Sequence, residues 1–446
     1  MYICSNCGKE HIKWSGQCSF CKEWNTLQEV DVPKTKTSAK KKDLVSLQDI
    51  QYSHHEKIPT TSPELNTLLS GFTPGSAILL SGEPGIGKST LALQLTNMIA
   101  GRIIYVSGEE NASQIISRAH RLHIHSDHIS LLCEQNIQTI LATLSSSPAD
   151  IVILDSISVM ESETITGQPG SITQVREIAS MMVEFCKKNN SILIIIGHVN
   201  KDGNLAGPKT LEHLVDTVLY FEDRYEDIRM LRSLKNRFGP SGEIALFQMT
   251  QKLIDMPNSG MELIESQYSH AIGASLSITL EGSRALLVEV EALTNETQSP
   301  HPIRSGRGIP TQKLDIILAV LGKYTAVKLK QHVYANIVRG MNISEPGIDL
   351  SIAAAIISSK LSIPLPKNTV FLEISLTGHI KSCFIEKRIK QAEKLNFSHI
   401  ILPKRPDHSD IPKHVPHTLH EMETILDLVK YIQNGKNPTK SKKDYS

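Results

Sequence analysis

No stretch of this chain approaches the roughly 20 consecutive apolar residues that cross a bilayer, so a membrane-embedded protein is not expected. A signal-peptide pattern is missing too, because Cys4 and Cys7 stand where its apolar core would lie, so secretion is not expected. Charge of one sign is missing: the formal net charge is +1, so any basic surface for a polyanion has to be local. Cysteine is sparse beyond the first 21 residues. Cys133, Cys186 and Cys383 stand alone, which fits reduced, partly buried thiols and not a disulfide framework. Together these absences point to a cytoplasmic protein. The remaining composition, 40% hydrophobic and 21% charged over 446 residues, is ordinary for a soluble globular chain. The length allows roughly three domains of about 150 residues.

The most informative stretch is Gly82-Glu83-Pro84-Gly85-Ile86-Gly87-Lys88-Ser89-Thr90, which fits the phosphate-binding pattern G-x-x-x-x-G-K-[ST]. Ala77 to Leu80 before it reads as a short buried strand, and Leu91, Leu95 and Met98 after it recur at helical spacing. Glycines let backbone N–H groups approach phosphate oxygens, and a helix N-terminus adds partial positive charge. Lys88 would reach the β- and γ-phosphates of ATP, and the Ser89 hydroxyl would hold Mg²⁺.

Residues 44–256 around this loop read as an α/β core, with apolar runs alternating with amphipathic segments. Ile103 to Val106 ends in Ser107-Gly108-Glu109-Glu110, Ile151 to Leu154 ends in Asp155, and Ile192 to Ile196 ends in Gly197-His198. Val215 to Phe221 and Ile228 to Leu234 read as further strands. In a parallel sheet the carboxyl ends of the strands form the ligand site, so these polar residues should meet near the loop. Asp155 suits a carboxylate that orients Mg²⁺, and one of Glu109 and Glu110, with Glu109 favoured, suits the base that polarises water. His198 is a candidate γ-phosphate sensor or a plain polar strand end.

Cys4-x-x-Cys7 and Cys18-x-x-Cys21, ten residues apart, can place four thiolates around one structural Zn²⁺ in a ribbon over residues 1–30. Trp14 and Trp24, the only tryptophans, read as packing for this small unit, with base stacking as the alternative. Residues 31–43 form a basic linker. Two long segments, 160–176 with Arg176 and 199–213 with Lys201 and Lys209, read as loops suited to a nucleic-acid phosphate backbone. In Lys235-Asn236-Arg237-Phe238-Gly239, two cations two residues apart can share a side and reach a neighbouring subunit's nucleotide, or simply form a basic turn.

The four-cysteine start, the phosphate loop, Tyr105 to Glu110, Gly197-His198-Val199 and above all Lys235 to Gly239 are similar to motifs of the bacterial RadA/Sms family of DNA-repair ATPases. Leu280 to Arg284, Glu345-Pro346 and Asp349-Leu350 extend the resemblance over nearly the full length. It implies a RecA-like core in a hexameric ring, and a motor of helicase type stimulated by single-stranded and branched DNA. It also implies branch migration of strand-exchange intermediates made by the RecA recombinase, in the nucleoid. By the same resemblance Lys88 and Ser89 hold nucleotide and metal, Asp155 is the Walker B acid, Glu109 is the base, and Lys235 and Arg237 act across a subunit interface. Asn111 departs from the family's usual Ser.

Residues 257–430 read as a second α/β region, similar to the proteolytic domain of Lon, before a basic tail at 431–446. By that resemblance the peptidase nucleophile falls near Gly347 to Asp349, where no Ser stands, and its base falls near Glu386, inside Ile385-Glu386-Lys387. A shifted pair, Ser351 with Lys387, is the surviving peptidase alternative, and the expected role is a scaffold. A nucleotide-switched binding module that recruits partners through the ribbon is the third reading.

Overall fold

The computed structural model describes residues 2–29, 56–124, 127–197, 208–225, 227–256, 271–327, 330–338, 343, 345–366, 369–381, 384–404 and 418–434. The chain divides into two compact units, 1–223 with 227–255 and 224–226 with 256–446. The first unit begins with a three-stranded antiparallel ribbon of β1 (Tyr2–Cys4), β2 (Glu10–His11) and β3 (Leu27–Glu29), with β1 central.

The core of the first unit follows. Its elements are α1 (Pro63–Leu69), β4 (Ala77–Gly82), α2 (Lys88–Leu95), β5 (Ile103–Ser107), α3 (Ala112–Arg121), β6 (Ile129–Cys133), α4 (Ile137–Ser146) and β7 (Ile151–Asp155). Then come α5 (Ile172–Lys188), β8 (Ile192–Ile196), α6 (Pro208–Leu214), β9 (Thr217–Tyr225), β10 (Ile228–Asn236), β11 (Ile244–Met249) and β12 (Leu253–Asp255). All nine strands from β4 onward form one sheet, in the order β12-β11-β10-β9-β4-β8-β7-β5-β6. The six strands from β9 to β6 in that order are mutually parallel.

The apolar runs are continuous because both faces are covered. Ile78, Leu80, Ile103, Tyr105, Ile151 and Ile153 pack with α1, α2 and α3. Their strand neighbours Leu79, Ile104, Val106, Val152 and Leu154 pack with α4, α5 and α6. Local chemistry sets the ends of the helices. Ser62 caps α1 by accepting from the Leu65 amide, with Pro63 at the first helical position. Asn111 caps α3 in a reciprocal box with Gln114. A side-chain oxygen is what that position requires, so Asn serves there as Ser does.

Several boundaries differ from those expected. α2 ends at Leu95, short of Met98. The expected 160–176 loop closes at Ser171, whose hydroxyl accepts from the Gln174 amide and starts α5. Arg176 therefore lies on a helix, exposed, and not in a loop. β10 runs on through Lys235 and Asn236. Cys186 is buried as expected, whereas Cys133 is exposed at the end of β6, the edge strand of the sheet.

The second unit is built from β13 (Ala274–Glu281), β14 (Arg284–Asn295), β15 (Arg304–Arg307), α7 (Thr311–Tyr324), β16 (His332–Ile337) and α8 (Asp349–Leu361). It continues with β17 (Thr369–Phe371), β18 (Glu373–Ile374), β19 (Ile380–Lys381), α9 (Ile385–Lys394), β20 (His399–Pro403), β21 (Thr418–Met422) and α10 (Ile425–Asn434). Seven strands form a mixed sheet, β15-β16-β14-β13-β17-β20-β21, while β18 and β19 pair separately. β17 and β18, only one residue apart in sequence, thus belong to different sheets. In α8 every residue from Leu350 to Ser358 is buried, which explains its lack of a polar face.

At the centre of this unit Arg388, 1% exposed, donates to both Glu345 carboxylate oxygens and to the Ile278 carbonyl. Gly347 makes room for the pair, since a Cβ there would collide with the guanidinium. Removing one partner of a buried ion pair costs about 3–5 kcal/mol because the other charge loses its compensation. Arg388→Ala should therefore lower stability by about 3 kcal/mol, read from the urea midpoint of the second unit's transition. A change under about 0.5 kcal/mol would show that the pair does not hold this core together.

Candidate functional site

β4 delivers the chain to the phosphate loop. Gly82 has φ +153°, and a Cβ there would lie 2.4 Å from the Phe221 carbonyl oxygen on β9, so only glycine fits. Gly85 and Gly87 also have positive φ, and Gly87 is the N-cap of α2. Glu83, Pro84 and Gly85 are exposed, while the buried Ile86 pins the loop to the core. Lys88 is 4% exposed, and its Nζ donates to the carbonyls of Gly82 (2.9 Å) and Glu83 (2.8 Å). Ser89 and Thr90, half-buried, follow in the first turn of α2.

The sheet brings the two expected carboxylates here. β5 and β7 are parallel with Ser107 opposite Asp155, so Asp155 at one strand end and Glu109 just past the other face the loop. Asp155 is 6% exposed and accepts hydrogen bonds from the Tyr105 hydroxyl and from Ser89. Ser156 donates to Glu109. Glu110 turns away to pair with Arg118, which separates the two adjacent acids. Sequence reasoning did not single out Tyr105 or Ser156. A strand tyrosine reads as core, and nothing in the local pattern reveals that its hydroxyl reaches an acid on the next strand.

Burial pushes the Lys88 amine down to about 8, opposed by the charges of Asp155 and Glu109. Burial raises the Asp155 carboxyl, opposed by the hydroxyls of Tyr105 and Ser89. Burial also raises Tyr105 well above the usual phenol range, so it remains a donor. A recessed cation, a helix N-terminus, a hydroxyl and two acids suit a polyphosphate with a divalent cation.

The remaining expected residues lie elsewhere. His198 and Lys201 fall outside the described residues, and Lys209 is placed only as part of the backbone of α6. Lys235 Nζ donates to the carbonyls of Glu212 (2.6 Å) and Val215 (2.8 Å). Arg237 and Lys187 both pair with the buried Asp216, each at 3.2 Å. Asp216 in turn bonds Ala77, where β4 begins. These cations therefore sit at the amino ends of the parallel strands. The length of β4 from Ala77 to Gly82 puts them about 16 Å along the strand from the chain's own phosphate loop.

In the ribbon the Sγ atoms of Cys4, Cys7, Cys18 and Cys21 lie within 4.8 Å of one another. Two pairs stand at 3.6 Å, close to the roughly 3.8 Å that tetrahedral Zn–S bonds of about 2.3 Å impose. His11 Nε2 lies 3.4 Å from Cys18 Sγ, as a hydrogen-bond partner of a ligand and not a replacement. Trp14 and Trp24 are 60% and 67% exposed, which corrects the reading of both as packing, although Trp24 still touches Gly16.

The peptidase alternative does not survive the geometry. Ser351 is fully buried against Ser275, with 2.7 Å between hydroxyls, while the exposed Lys387 lies over the Phe384 ring. Glu386, at the expected base position, is exposed and pairs with Lys390.

Residues 45–204 match the family model described as an AAA domain, and residues 2–29 match the rubredoxin metal binding domain. The chain is 43% identical over 417 residues to a DNA repair protein RadA of Rickettsia bellii, covering 90% of this chain and 93% of the relative. It is 39% identical over 412 residues to that of Aquifex aeolicus, with the same coverage, and 39% identical over 417 residues to that of Streptococcus pyogenes. The chain belongs to the RadA family. A solved structure described as an ATPase domain aligns with 45% of the chain and 92% of its own length, at 13% identity and a TM-score of 0.39.

The burial of Lys88 has a consequence for nucleotide binding. Only protonated Lys88 attracts phosphate, so ATP affinity should fall as pH rises through about 8, and binding there should take up a proton. Calorimetry in buffers of different ionisation enthalpy reads this uptake, and a pH-independent affinity would contradict the burial argument. The four thiols should hold about one equivalent of zinc. Chelation should release that metal and change the emission of Trp14 and Trp24, the only tryptophans in the chain; purified protein without bound metal would contradict the site.

Proposed function

We propose that this member of the RadA family is an ATP hydrolase working on DNA in recombinational repair. It acts as a ring motor of helicase type that promotes branch migration of RecA-mediated strand-exchange intermediates. Backbone N–H groups of the 82–90 loop and Lys88 hold the phosphates. Ser89 would hold Mg²⁺ and Asp155 would orient it through water, and the ion would supply charge neutralisation at the phosphates when bound. Glu109 accepts the proton of the attacking water. The recessed Lys88 and the strand-end acids support hydrolysis, and the relatives, DNA repair proteins, support a role in DNA repair.

The observation that carries the oligomeric part is the position of Lys235 and Arg237. They lie at the opposite strand ends from the chain's own loop, so they reach phosphate only in another subunit's site. A head-to-tail ring, hexameric by family resemblance, supplies such a contact at every interface. Arg176, Lys201 and Lys209 are the DNA-facing candidates, His198 is the candidate sensor, and the zinc ribbon is structural. The region 257–430 of the second unit is a scaffold. The site of action is the nucleoid within the cytoplasm.

ATP turnover measured with and without single-stranded and branched DNA tests the reading. DNA should raise the rate, less so as salt increases, and turnover indifferent to every DNA would overturn it. Lys88→Ala and Lys235→Ala should each be inactive. Mixing them should restore activity, since about one interface in four then joins an intact Lys88 to an intact Lys235. No recovery in mixed rings would count against a shared site.

A further inference from the structure

We propose that Ser156 is a positioning residue that aims Glu109 at the reacting phosphate, and that Ser158 holds Ser156 in place. This rests on Glu109 being the base. Glu109 is exposed on a loop, where a glutamate side chain has several rotamers to choose from. Its backbone is well fixed. The Gly108 amide donates to the Asp155 carbonyl at 2.9 Å, and Gln135 Nε2 donates to the Gly108 carbonyl at 2.6 Å. Gly108 lies so close to Val159 and Met160 that a Cβ would stand 2.7 Å from the valine methyl. Fixing the backbone does not fix the carboxylate, and it is the carboxylate that the Ser156 hydroxyl engages.

Ser156 is fully buried, and its Oγ donates its one proton to Glu109 Oε1. Its Oγ is also 2.6 Å from the Ser158 Oγ. Because the Ser156 proton is already committed, Ser158 must be the donor in that contact. The result is a directed chain from Ser158 to Ser156 to Glu109. It engages Oε1 of Glu109 and so restrains the orientation of the carboxylate. Ser156 follows Asp155 directly, so the residue that orients the base is one peptide from the acid assigned to the metal. The relative placement of the two carboxylates is therefore set within a single dipeptide.

A double-mutant cycle tests the proposal on the full-length protein. Ser156→Ala should lower kcat about tenfold, as for a misplaced catalytic group, while the ATP KM and the Kd for a fluorescent ATP analogue change less than about twofold. In a Glu109→Gln background the same change should cost nothing further. Ser158→Ala, at a half-buried position, should lower kcat in the same direction by less, and it serves where Ser156→Ala fails to fold. Equal losses in the two backgrounds, an unchanged kcat, or a loss confined to Kd would overturn the proposal. Full activity in Glu109→Gln alone would remove Glu109 as base and the proposal with it. Indifference of turnover to DNA would instead affect only the motor reading.

Discussion

The shared direction of six adjacent strands is the constraint on which the first unit depends. Because β9, β4, β8, β7, β5 and β6 run parallel, whatever follows them in sequence collects at one edge. The phosphate loop, Asp155 and Glu109 meet there although they are far apart in sequence. The same polarity sends Asp216, at the start of β9, to the far edge, and Lys187, Lys235 and Arg237 gather around it. One sheet thus carries the phosphate loop with its acids at one end and a cluster of cations at the other, and the proposed ring is what would bring the two together.

The electrostatics follow from that placement. Lys88 and Asp155 are both recessed: burial pushes the lysine down against the charges of two carboxylates, and burial pushes the aspartate up against the hydrogen bonds of two hydroxyls. A buried cation whose hydrogen bonds go to backbone carbonyls is poised for stronger anionic oxygens. Two adjacent acids are separated by what surrounds them: Arg118 claims Glu110, and Ser156 turns Glu109 toward the site. At the far edge Lys187 and Arg237 pair with one buried carboxylate, Asp216, and Lys235 beside them donates to backbone carbonyls.

Much of this was legible in the sequence for physical reasons. An apolar run of four that ends in Asp155 reads correctly because a doubly covered parallel strand has no other pattern. The four cysteines read correctly because metal geometry fixes their spacing. The less legible parts depend on contacts between distant residues. Tyr105 looks like any core aromatic until β7 lies beside it, and Ser156 looks like a strand end until Glu109 reaches it. The 160–176 stretch read as loop because its glycines and polar residues mask the Ser171 cap, which begins a helix within it. Trp14 and Trp24 read as packing because tryptophan usually buries its ring, and a ribbon this small has too little interior for both. In the second unit, Ser351 and Lys387 looked like neighbours of a peptidase pair, and only the depth of α8 separates them.

The central claim is that the nucleotide site is completed by the next subunit. A structure of the assembled protein with a non-hydrolysable ATP analogue and DNA tests it most directly. Lys235 Nζ and the Arg237 guanidinium of one subunit are expected within hydrogen-bond distance of phosphate oxygens whose other contacts are Lys88 and the 82–90 loop of its neighbour. Phosphates contacted by a single chain, with Lys235 still on the Glu212 and Val215 carbonyls and Arg237 still on Asp216 of its own chain, would contradict it.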